Sequence, residues 1–505
     1  MSDQTEFELE TNISTDVICP TKGVASEPEE LSLYALSGHP EIEEKSIKTL
    51  GPEILIVGPG FGRGSSREHA FVTLEQAGVR AIICIGGMFE RIFKENCALG
   101  GIAIYEIPDQ LNTVQQLQQA WKKDQIEKAY QDQIRPDIAD SGGIIGYTLK
   151  RLKEKVEPVA ICHNEVRPNH PMTAAEKILA RRMSNVHPNS HGEKVVLPGD
   201  TGFIPVDFRM SYEAHGPLIN LALFELTKNT VEGVEINDPS SIRLFQDHFA
   251  QRAREDPGSK QADFIRRQQK MAEKYRIPLC GLPAQEGYTP GICHTLTVEK
   301  ALIGPGEIGV GTDSHTCTWG VLNSLSWGIG ATHMASTMVT KEAFIEVPPT
   351  IKITLSGKLN QDTSPKDVAL HLLSQDFIKE GASTGCVLEI TGKELKNWIL
   401  DMQLVICNMA VEARFMTAII TQLTPALRKH LERTRNMSAK KVEEKFIQSD
   451  PNADFLLEQT INLGEIKPMI ALSGDPINTI PLSKLKKLLL LKPISAPVLE
   501  AIMMI

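Results

Sequence analysis

Short apolar runs alternate with amphipathic helical periods through the first part of the chain. Runs of strand length occupy residues 53–58, 80–85 and 102–107, whereas residues 68–78 and 89–99 space their apolar positions as helices do. This order predicts a βαβαβ unit, in which helices cover a parallel sheet. Two further helices are predicted, one polar and rich in Gln over 113–130 and one basic over 144–155.

A proline-rich stretch, residues 157–172, follows this unit and has the composition of a linker. Thr173 and Glu176 then form the pattern of a capping box, which opens a helix. Apolar runs at 242–245, 308–310 and 350–355 predict strands, and Ser364 with Pro365 predicts the start of the helix after the last of them. These signals indicate a second and a third α/β region.

The chain has 505 residues, which is too many for one hydrophobic core. We therefore predict a multidomain α/β protein. Its predicted parts are a first domain over 1–156, a linker over 157–172, a second domain over 173–346, a third over 347–480, and a tail over 481–505.

Composition narrows the class of protein. The 53 basic and 63 acidic residues give a net charge of −10, which does not favour nucleic acid as a partner. No apolar run reaches the length of about 18 residues that a membrane span needs. The first ten residues are acidic and lack an apolar core, unlike a secretory signal, so we expect a cytoplasmic protein.

The nine cysteines are scattered, and no two have the C-x-x-C spacing. This spacing pattern argues against a zinc ribbon and against a thioredoxin-like redox site. In a cytoplasmic protein we expect most of these cysteines to be buried as small apolar residues.

The glycine-rich segment 62–70 carries the first chemical signal. It connects a predicted strand to a predicted helix, so backbone N–H groups and the positive end of a helix dipole would face whatever lies over the loop. With the hydroxyls of Ser65 and Ser66 and the guanidinium of Arg67, this arrangement fits a carboxylate or a phosphate. The alternative is an ordinary βα turn, in which Arg67 pairs with Glu68 or with solvent.

A second signal comes from polar residues that follow other apolar runs. Asp313, Ser314 and His315 come after the run 308–310, and small residues of helical composition follow them. Asp247 and His248 follow the run 242–245, and His294 lies in a Gly-Ile-Cys-His segment. Each histidine alone could be structural, but a carboxylate beside an imidazole also fixes its tautomer and raises its basicity.

Together these segments resemble the aconitase superfamily of hydro-lyases, most closely its 3-isopropylmalate dehydratase branch. Residues 12–20, 58–70 and 142–145 resemble the small swivel subunit of that family, and the chain from Thr173 onward resembles the large subunit. The segment Cys407-Asn408-Met409-Ala410-Val411-Glu412 belongs to the latter part. The resemblance implies a swivel βαβ domain fused ahead of aconitase-type three-layer α/β/α domains.

The resemblance also implies an activity, dehydration or isomerisation of a 2-hydroxy di- or tricarboxylic acid by a carbon–oxygen hydro-lyase. A 4Fe–4S cluster would act as Lewis acid on the substrate. By resemblance, Ser65 would be the base, and Ser66, Arg67 and Ser314 would bind the substrate. The Asp247–His248 pair would protonate the leaving hydroxyl; the remaining site residues, which would order the water at the cluster, are His294, Asp313, His315 and Glu412.

The chain departs from the family pattern in two places. The family takes its cluster ligands from a Cys-Thr-Asn segment and a later C-x-x-C, and neither is present here. Relatives also show a His-Asp pair after Met-Ser, where this chain has Tyr212 and Glu213. We therefore expect no metal ligands in this chain and a missing third family domain.

Three hypotheses follow. The chain could be a hydro-lyase that is active only with a second chain supplying the cluster domain. It could instead be a truncated, inactive product, or a non-catalytic protein that keeps a carboxylate pocket.

Overall fold

The computed structural model describes residues 8–24, 26–64, 68–107, 116, 136–162, 169–186, 188, 192–230, 233–281, 291–473 and 475–485. Within them the protein has an α/β fold built on several parallel sheets. The described helices are Thr15–Ile18, Thr21–Val24, Ser46–Leu50, Glu68–Gln76, Arg91–Gly100, Pro136–Ala139, Ile144–Glu154, Ala174–Arg182, Gly216–Lys228, Ala250–Glu255, Lys260–Tyr275, Cys293–Glu299, Ala331–Thr340, Pro365–Leu373, Asp376–Lys379, Leu400–Met409, Pro425–Arg435 and Ala439–Lys445.

The first sheet has three parallel strands, β1 (Ile54–Val57), β2 (Ala81–Ile85) and β3 (Ala103–Ile107), in that order. Every residue of the central strand β2 is buried, as expected for an apolar strand covered on both faces. Helices Glu68–Gln76 and Arg91–Gly100 connect the strands, so the predicted βαβαβ unit is confirmed. The predicted helix over 144–155 is also confirmed, whereas the one over 113–130 lies outside the described residues except for Gln116.

The second sheet positions most of the polar residues of interest. Its five strands are all parallel and run in the order β7-β6-β5-β8-β9. They are β5 (Phe208–Tyr212), β6 (Ile242–Phe245), β7 (Leu279–Cys280), β8 (Ile308–Gly311) and β9 (Leu325–Gly328). Because β6, β5 and β8 are neighbours and parallel, the residues after them meet at one edge, where α/β proteins bind ligands.

The segment after β8 corrects one sequence expectation. The small residues that follow Asp313 were expected to form a helix directly, but residues Ser314–Leu322 form a 3-10 helix instead. Strand β9 comes next, and only then the α-helix Ala331–Thr340. The side chain of Asp313 accepts the His315 N–H and caps the start of this 3-10 helix.

The third sheet is also fully parallel, with the order β13-β12-β11-β14. Its strands are β11 (Thr350–Ser356), β12 (Val387–Thr391), β13 (Thr417–Ile420) and β14 (Leu457–Asn462). The predicted strand at 350–355 and the helix that begins at Pro365 are both confirmed. Two antiparallel pairs complete the strands: β4 (Thr201–Pro205) with β10 (Glu342–Glu346), and β15 (Met469–Ala471) with β16 (Thr479–Pro481).

One buried cation ties the second sheet to its neighbours. The side chain of Arg209, in β5, is fully buried, and burial lowers its pKa to about 10. Its guanidinium donates to the carbonyl oxygens of Thr337, Met338, Asn237 and Asp238 and to the hydroxyl of Ser241, at 2.5–3.3 Å. These bonds hold the helix Ala331–Thr340 and the loop before β6 against the sheet.

The capping box at Thr173 and Glu176 is confirmed and opens the helix Ala174–Arg182. The predicted limits of the domains, 1–156, 173–346 and 347–480, stay predictions. Among the described helices, none combines the length and the apolar character needed to cross a bilayer.

Candidate functional site

A carboxylate lies at the centre of the site and holds two imidazoles. Asp313 Oδ1 lies 2.8 Å from His294 Nε2, and Asp313 Oδ2 lies 3.3 Å from His248 Nε2. Oδ1 also accepts the backbone N–H of His315 at 2.8 Å. Burial opposes its charge, but His294 and His248 hold the pKa of Asp313 well below its usual range. The group is therefore a carboxylate in the folded protein.

The second carboxylate of the site fixes the other nitrogen of His248. Asp247 Oδ1 lies 2.8 Å from His248 Nδ1, and Asp247 Oδ2 accepts the backbone N–H of Cys293 at 2.7 Å. Burial opposes the charged imidazole, yet the hydrogen bonds to Asp247 and Asp313 raise the pKa of His248 to about 10. His248 is thus an imidazolium at neutral pH and holds a proton on each nitrogen.

A second imidazole–carboxylate pair lies next to the first. His315 Nε2 is 3.3 Å from Glu412 Oε1, and His315 Nδ1 is 2.9 Å from the carbonyl oxygen of Asn408. The hydrogen bond with His315 lowers the pKa of Glu412. Burial opposes protonation of His315, but its bond to Glu412 raises the pKa of this imidazole. The 3-10 helix Val411–Ala413 brings Glu412 to this position from the third sheet.

A buried glutamate holds the backbone on both sides of His248. The carboxylate of Glu213 accepts the backbone N–H groups of Asp247, at 3.3 Å, and of Phe249. Its side chain is fully buried, and burial raises its pKa to about 7. Tyr212, the neighbouring residue, stacks on His248 with ring centroids 3.9 Å apart. Tyr212 and Glu213 together fix the orientation and the position of the His248 imidazole.

The glycine loop and the histidine cluster face the same cavity, which has a volume of about 320 Å³. Its walls are formed by Asp16, Gly62, Arg63, Gly64, Glu90, Arg91, Ile92, Asp313, Ser314, His315, Val411, Glu412, Arg414 and Phe415. Gly62 has a φ of +85°, and a Cβ there would lie 2.2 Å from the Phe93 ring, so only glycine fits. The predicted site residues Ser65, Ser66 and Arg67 lie outside the described residues, although both neighbours Gly64 and Glu68 are described.

The sequence of this chain is similar to known families and proteins. Residues 223–496 match the model of the Aconitase family (aconitate hydratase), which is more than half of the 505 residues. The chain belongs to the aconitase family. Within the N-terminal part of this aconitase-family chain, residues 38–110 match the Aconitase C-terminal domain. The two matches together explain why a glycine loop and a histidine cluster occur in one chain.

Two curated relatives of this aconitase-family chain are 3-isopropylmalate dehydratase large subunits. The one from Caldicellulosiruptor saccharolyticus is 33% identical over 309 residues, which cover 61% of this chain and 65% of the relative. Large subunit 1 from Pyrococcus furiosus is 32% identical over 317 residues, covering 63% and 68%. The chain thus spans about two thirds of the length of the relatives that it matches.

Among solved structures, a 3-isopropylmalate dehydratase from Methanocaldococcus jannaschii is similar to part of the chain. The sequence identity is 22% and the TM-score is 0.22, over 29% of this chain and 91% of that one.

The aconitase family implies a 4Fe–4S cluster, and the described thiols do not fit one. Cys293, Cys317 and Cys407 are the cysteines in the segments that form the site, and all three are fully buried. Burial raises the pKa of Cys317 to about 12 and the pKa values of the other two well above the usual range. Iron needs thiolates, so these protonated, enclosed thiols are poor ligands.

One set of described side chains has donor atoms close enough to share a metal ion, within 4.8 Å of one another. It consists of Glu213, Asp247 and His248, and it contains no thiol. Both oxygens of Glu213 accept backbone N–H groups, and both oxygens of Asp247 are hydrogen bonded as well. All four carboxylate oxygens of this set therefore already have partners within the protein, and the set lacks the thiolates that a 4Fe–4S cluster needs.

The structure brings most of the sequence-predicted site residues into one network, and their roles stay predictions. Members of the network or of the cavity wall are Asp247, His248, His294, Asp313, Ser314, His315 and Glu412. Sequence reasoning missed Arg63 and Arg414, and it noted Tyr212 and Glu213 only as a departure from the family pattern. The position of Arg414, two residues after the predicted site residue Glu412, could have indicated that it lies near the site.

Proposed function

We propose that this chain carries the proton-handling residues of an aconitase-type hydro-lyase. The substrate would be a 2-hydroxy di- or tricarboxylic acid similar to 3-isopropylmalate. The observation that carries the proposal is the position of Asp313 between His248 and His294, beside the cavity that the glycine loop enters. Two carboxylates hold the His248 imidazole in its protonated form, which is the form that a general acid must have before it donates a proton.

In dehydration, the C–H bond next to a carboxylate breaks and its electron pair forms the carbon–carbon double bond. The C–O bond breaks at the same time, and the leaving hydroxyl takes a proton, so water departs. We assign the protonation to His248, because Asp247 and Asp313 keep it in the imidazolium form. We assign the removal of the carbon-bound proton to Ser65 by resemblance, with Ser66, Arg67 and Ser314 as substrate-binding groups.

The remaining residues would hold the reactants in place. His294 and Asp313 would fix the orientation of His248, and the His315–Glu412 pair would order water beside the substrate hydroxyl. Each of these side chains has a defined hydrogen-bond partner, so little reorganisation would be needed during the reaction.

When bound, a 4Fe–4S cluster would supply Lewis-acid chemistry at the substrate hydroxyl. The described thiols do not fit it, so we assign the cluster to a second chain and take no step through it. The nine free thiols support a reducing, cytoplasmic location for the complex.

A second candidate is a non-catalytic protein that binds small carboxylic acids. The buried, protonated cysteines at the site favour it, since they leave the described chain without a cluster of its own.

Both candidates can be separated with a reconstituted complex. The chain would be co-expressed anaerobically with an aconitase-family polypeptide that carries Cys-Thr-Asn and C-x-x-C segments. The ultraviolet absorbance of the unsaturated acid formed from 3-isopropylmalate would be followed. We expect turnover in the wild-type complex and a loss of about 100-fold or more in D313N and S65A.

D362N is the matched control, because Asp362 is an exposed aspartate outside the site. Turnover in D313N equal to that in D362N would contradict the proposed role of Asp313. A folded, cluster-loaded complex that binds the acid without converting it would favour the binding protein instead.

A further inference from the structure

Arg63 lies in the glycine loop and lines the cavity, and its positive charge is paired with a carboxylate that is distant in sequence. Its guanidinium contacts the carboxylate of Asp475 in a two-pronged arrangement, with Nη2 2.6 Å from Oδ1 and Nη1 on Oδ2. Asp475 lies between β15 and β16, and its Oδ1 also accepts the Ile477 N–H at 2.8 Å. This geometry is the one in which arginine binds a ligand carboxylate.

A second arginine lies on the same wall in an unusual backbone conformation. Arg414 has a φ of +65°, in the left-handed region that favours glycine. Its Nε lies 3.5 Å from Glu90 Oε1, and its Nη2 donates to Asn12 Oδ1 at 3.3 Å. Arg414 thus lines the cavity with its guanidinium between Glu90 and Asn12.

The two arginines and their carboxylates act on one another. Burial raises the pKa of Glu90, and Arg414 and Arg63 both oppose that rise. Burial likewise lowers the pKa of Arg414, while Glu90 and Asp475 oppose it and Arg63 reinforces it. The four side chains therefore form one electrostatic cluster, with two positive and two negative members, of which all but Asp475 line the cavity.

The same cavity is lined by residues that orient the proposed general acid or order water in the proposed function. Asp313, His315 and Glu412 line the cavity together with Arg63 and Arg414. A volume of about 320 Å³ is at the lower end for small-molecule pockets, so a small acid in it would lie close to both groups of residues.

We propose that Arg63 and Arg414 form a carboxylate-binding subsite, and that Asp475 is an internal counterion which the ligand's carboxylate displaces from Arg63. The ligand class, a small di- or tricarboxylic acid, rests on the proposed function. Removal of the Asp475 charge should then strengthen ligand binding, because the ligand no longer competes with it. If the Arg63–Asp475 pair only stabilised the β15–β16 hairpin, removal of the Asp475 charge would not strengthen ligand binding.

Calorimetric titration of 3-isopropylmalate into the full chain tests the proposal without requiring turnover. In D475N we expect about tenfold tighter binding than in the wild type, since a charge-assisted bond to Arg63 becomes available. Asparagine keeps the oxygen that accepts the Ile477 N–H, so the turn should survive. In R63Q and R414Q we expect binding at least about tenfold weaker, and R63Q/D475N should bind as weakly as R63Q.

R435Q and E307Q are matched controls. Arg435 makes a similar two-pronged pair with Glu307, at 2.7 and 3.0 Å, outside the cavity. Neither control should change binding. Circular dichroism would verify the fold of each variant.

Unchanged binding in R63Q, weaker binding in D475N, or the absence of binding in every variant would each overturn the subsite. Failure of the proposed function gives a different result, in which the binding pattern is as expected but the reconstituted complex has no turnover. 2-Hydroxyisocaproate has one carboxylate, so it tests whether the subsite binds the second carboxylate of 3-isopropylmalate. Its affinity should be the same for D475N and for the wild type. An increase in affinity as large as that of 3-isopropylmalate would overturn this assignment.

Discussion

The ring of Tyr212 lies against the imidazole of His248, with the centroids 3.9 Å apart and the planes inclined by 21°. An aromatic face stabilises a cation above it, so Tyr212 supports the charged form of His248. We expect Y212L to lower the pKa of His248, because leucine keeps the bulk and removes the π-system. NMR titration of the imidazole carbon-bound protons would measure this.

Y212F is the control for the stacking argument, since phenylalanine keeps the ring. The pKa of His248 in Y212F should stay close to that of the wild type. An equal decrease in both variants would assign the effect to the hydroxyl of Tyr212 rather than to its ring.

The capping-box residue Glu176 should make stability depend on pH. Burial raises its pKa from 4.5 to about 7. Because the pKa is higher in the folded than in the unfolded protein, protonation of Glu176 stabilises the fold. This contribution to the free energy of unfolding is complete below about pH 4.5 and is lost as pH rises through 7. We expect E176Q, which keeps the acceptor, to raise the Tm at pH 8 by about 2 °C or more and to have little effect at pH 4.5.

Differential scanning calorimetry at the two pH values would measure the effect of E176Q. E432Q removes an exposed charge from the helix Pro425–Arg435 and serves as the control. A gain of E176Q that is the same at both pH values would contradict the titration of Glu176.

Replacement of the buried Arg209 should be among the most destabilising single changes in the chain. R209M removes the donors to four carbonyl oxygens and one hydroxyl and leaves these acceptors buried. We expect the free energy of unfolding to fall by about 3–5 kcal/mol, measured by urea denaturation. R209K keeps a charge with fewer donors and should fall between R209M and the wild type; full stability in R209M would show that these bonds contribute nothing net.

Treatment of the lone chain with iron and sulfide under anaerobic conditions should give no stable cluster. The thiols at the site are buried, and the pKa of Cys317 is raised to about 12, so thiolate ligands are scarce. Visible absorbance and iron content after desalting would measure this, with a four-cysteine ferredoxin processed in parallel. One cluster per chain would contradict the fit of the thiols described above.

The parts of the fold that were predictable depend on local periodicity. Strands β1, β2 and β3 and their connecting helices follow from apolar runs and helical spacing, which are local properties of the chain. The convergence of Asp247, His248 and Asp313 followed from their positions after strands, because parallel strands end at one edge. His294 was noted from its own segment, whereas its place beside Asp313 and the choice of Glu412 rested on the resemblance, since neither residue directly follows a strand of that sheet.

The parts that were not predictable depend on tertiary packing. Glu213 was visible in the sequence, but its burial beneath two backbone N–H groups depends on how the loop after β6 packs. Asp475 has no local pattern that pairs it with Arg63. The 3-10 helix Ser314–Leu322 and strand β9, which precede the helix Ala331–Thr340, were not anticipated from composition.

The pairing of Arg63 with Asp475 also has a consequence for the time at which the protein matures. The two residues are 412 positions apart in sequence. At a synthesis rate of about 5–20 residues per second, the ribosome needs roughly 20–80 s to make the intervening chain. During this interval the glycine loop carries a guanidinium without its eventual counterion. Closure of the cavity wall is therefore a late event in biogenesis, and a nascent chain that has folded its first sheet has not yet acquired its pocket.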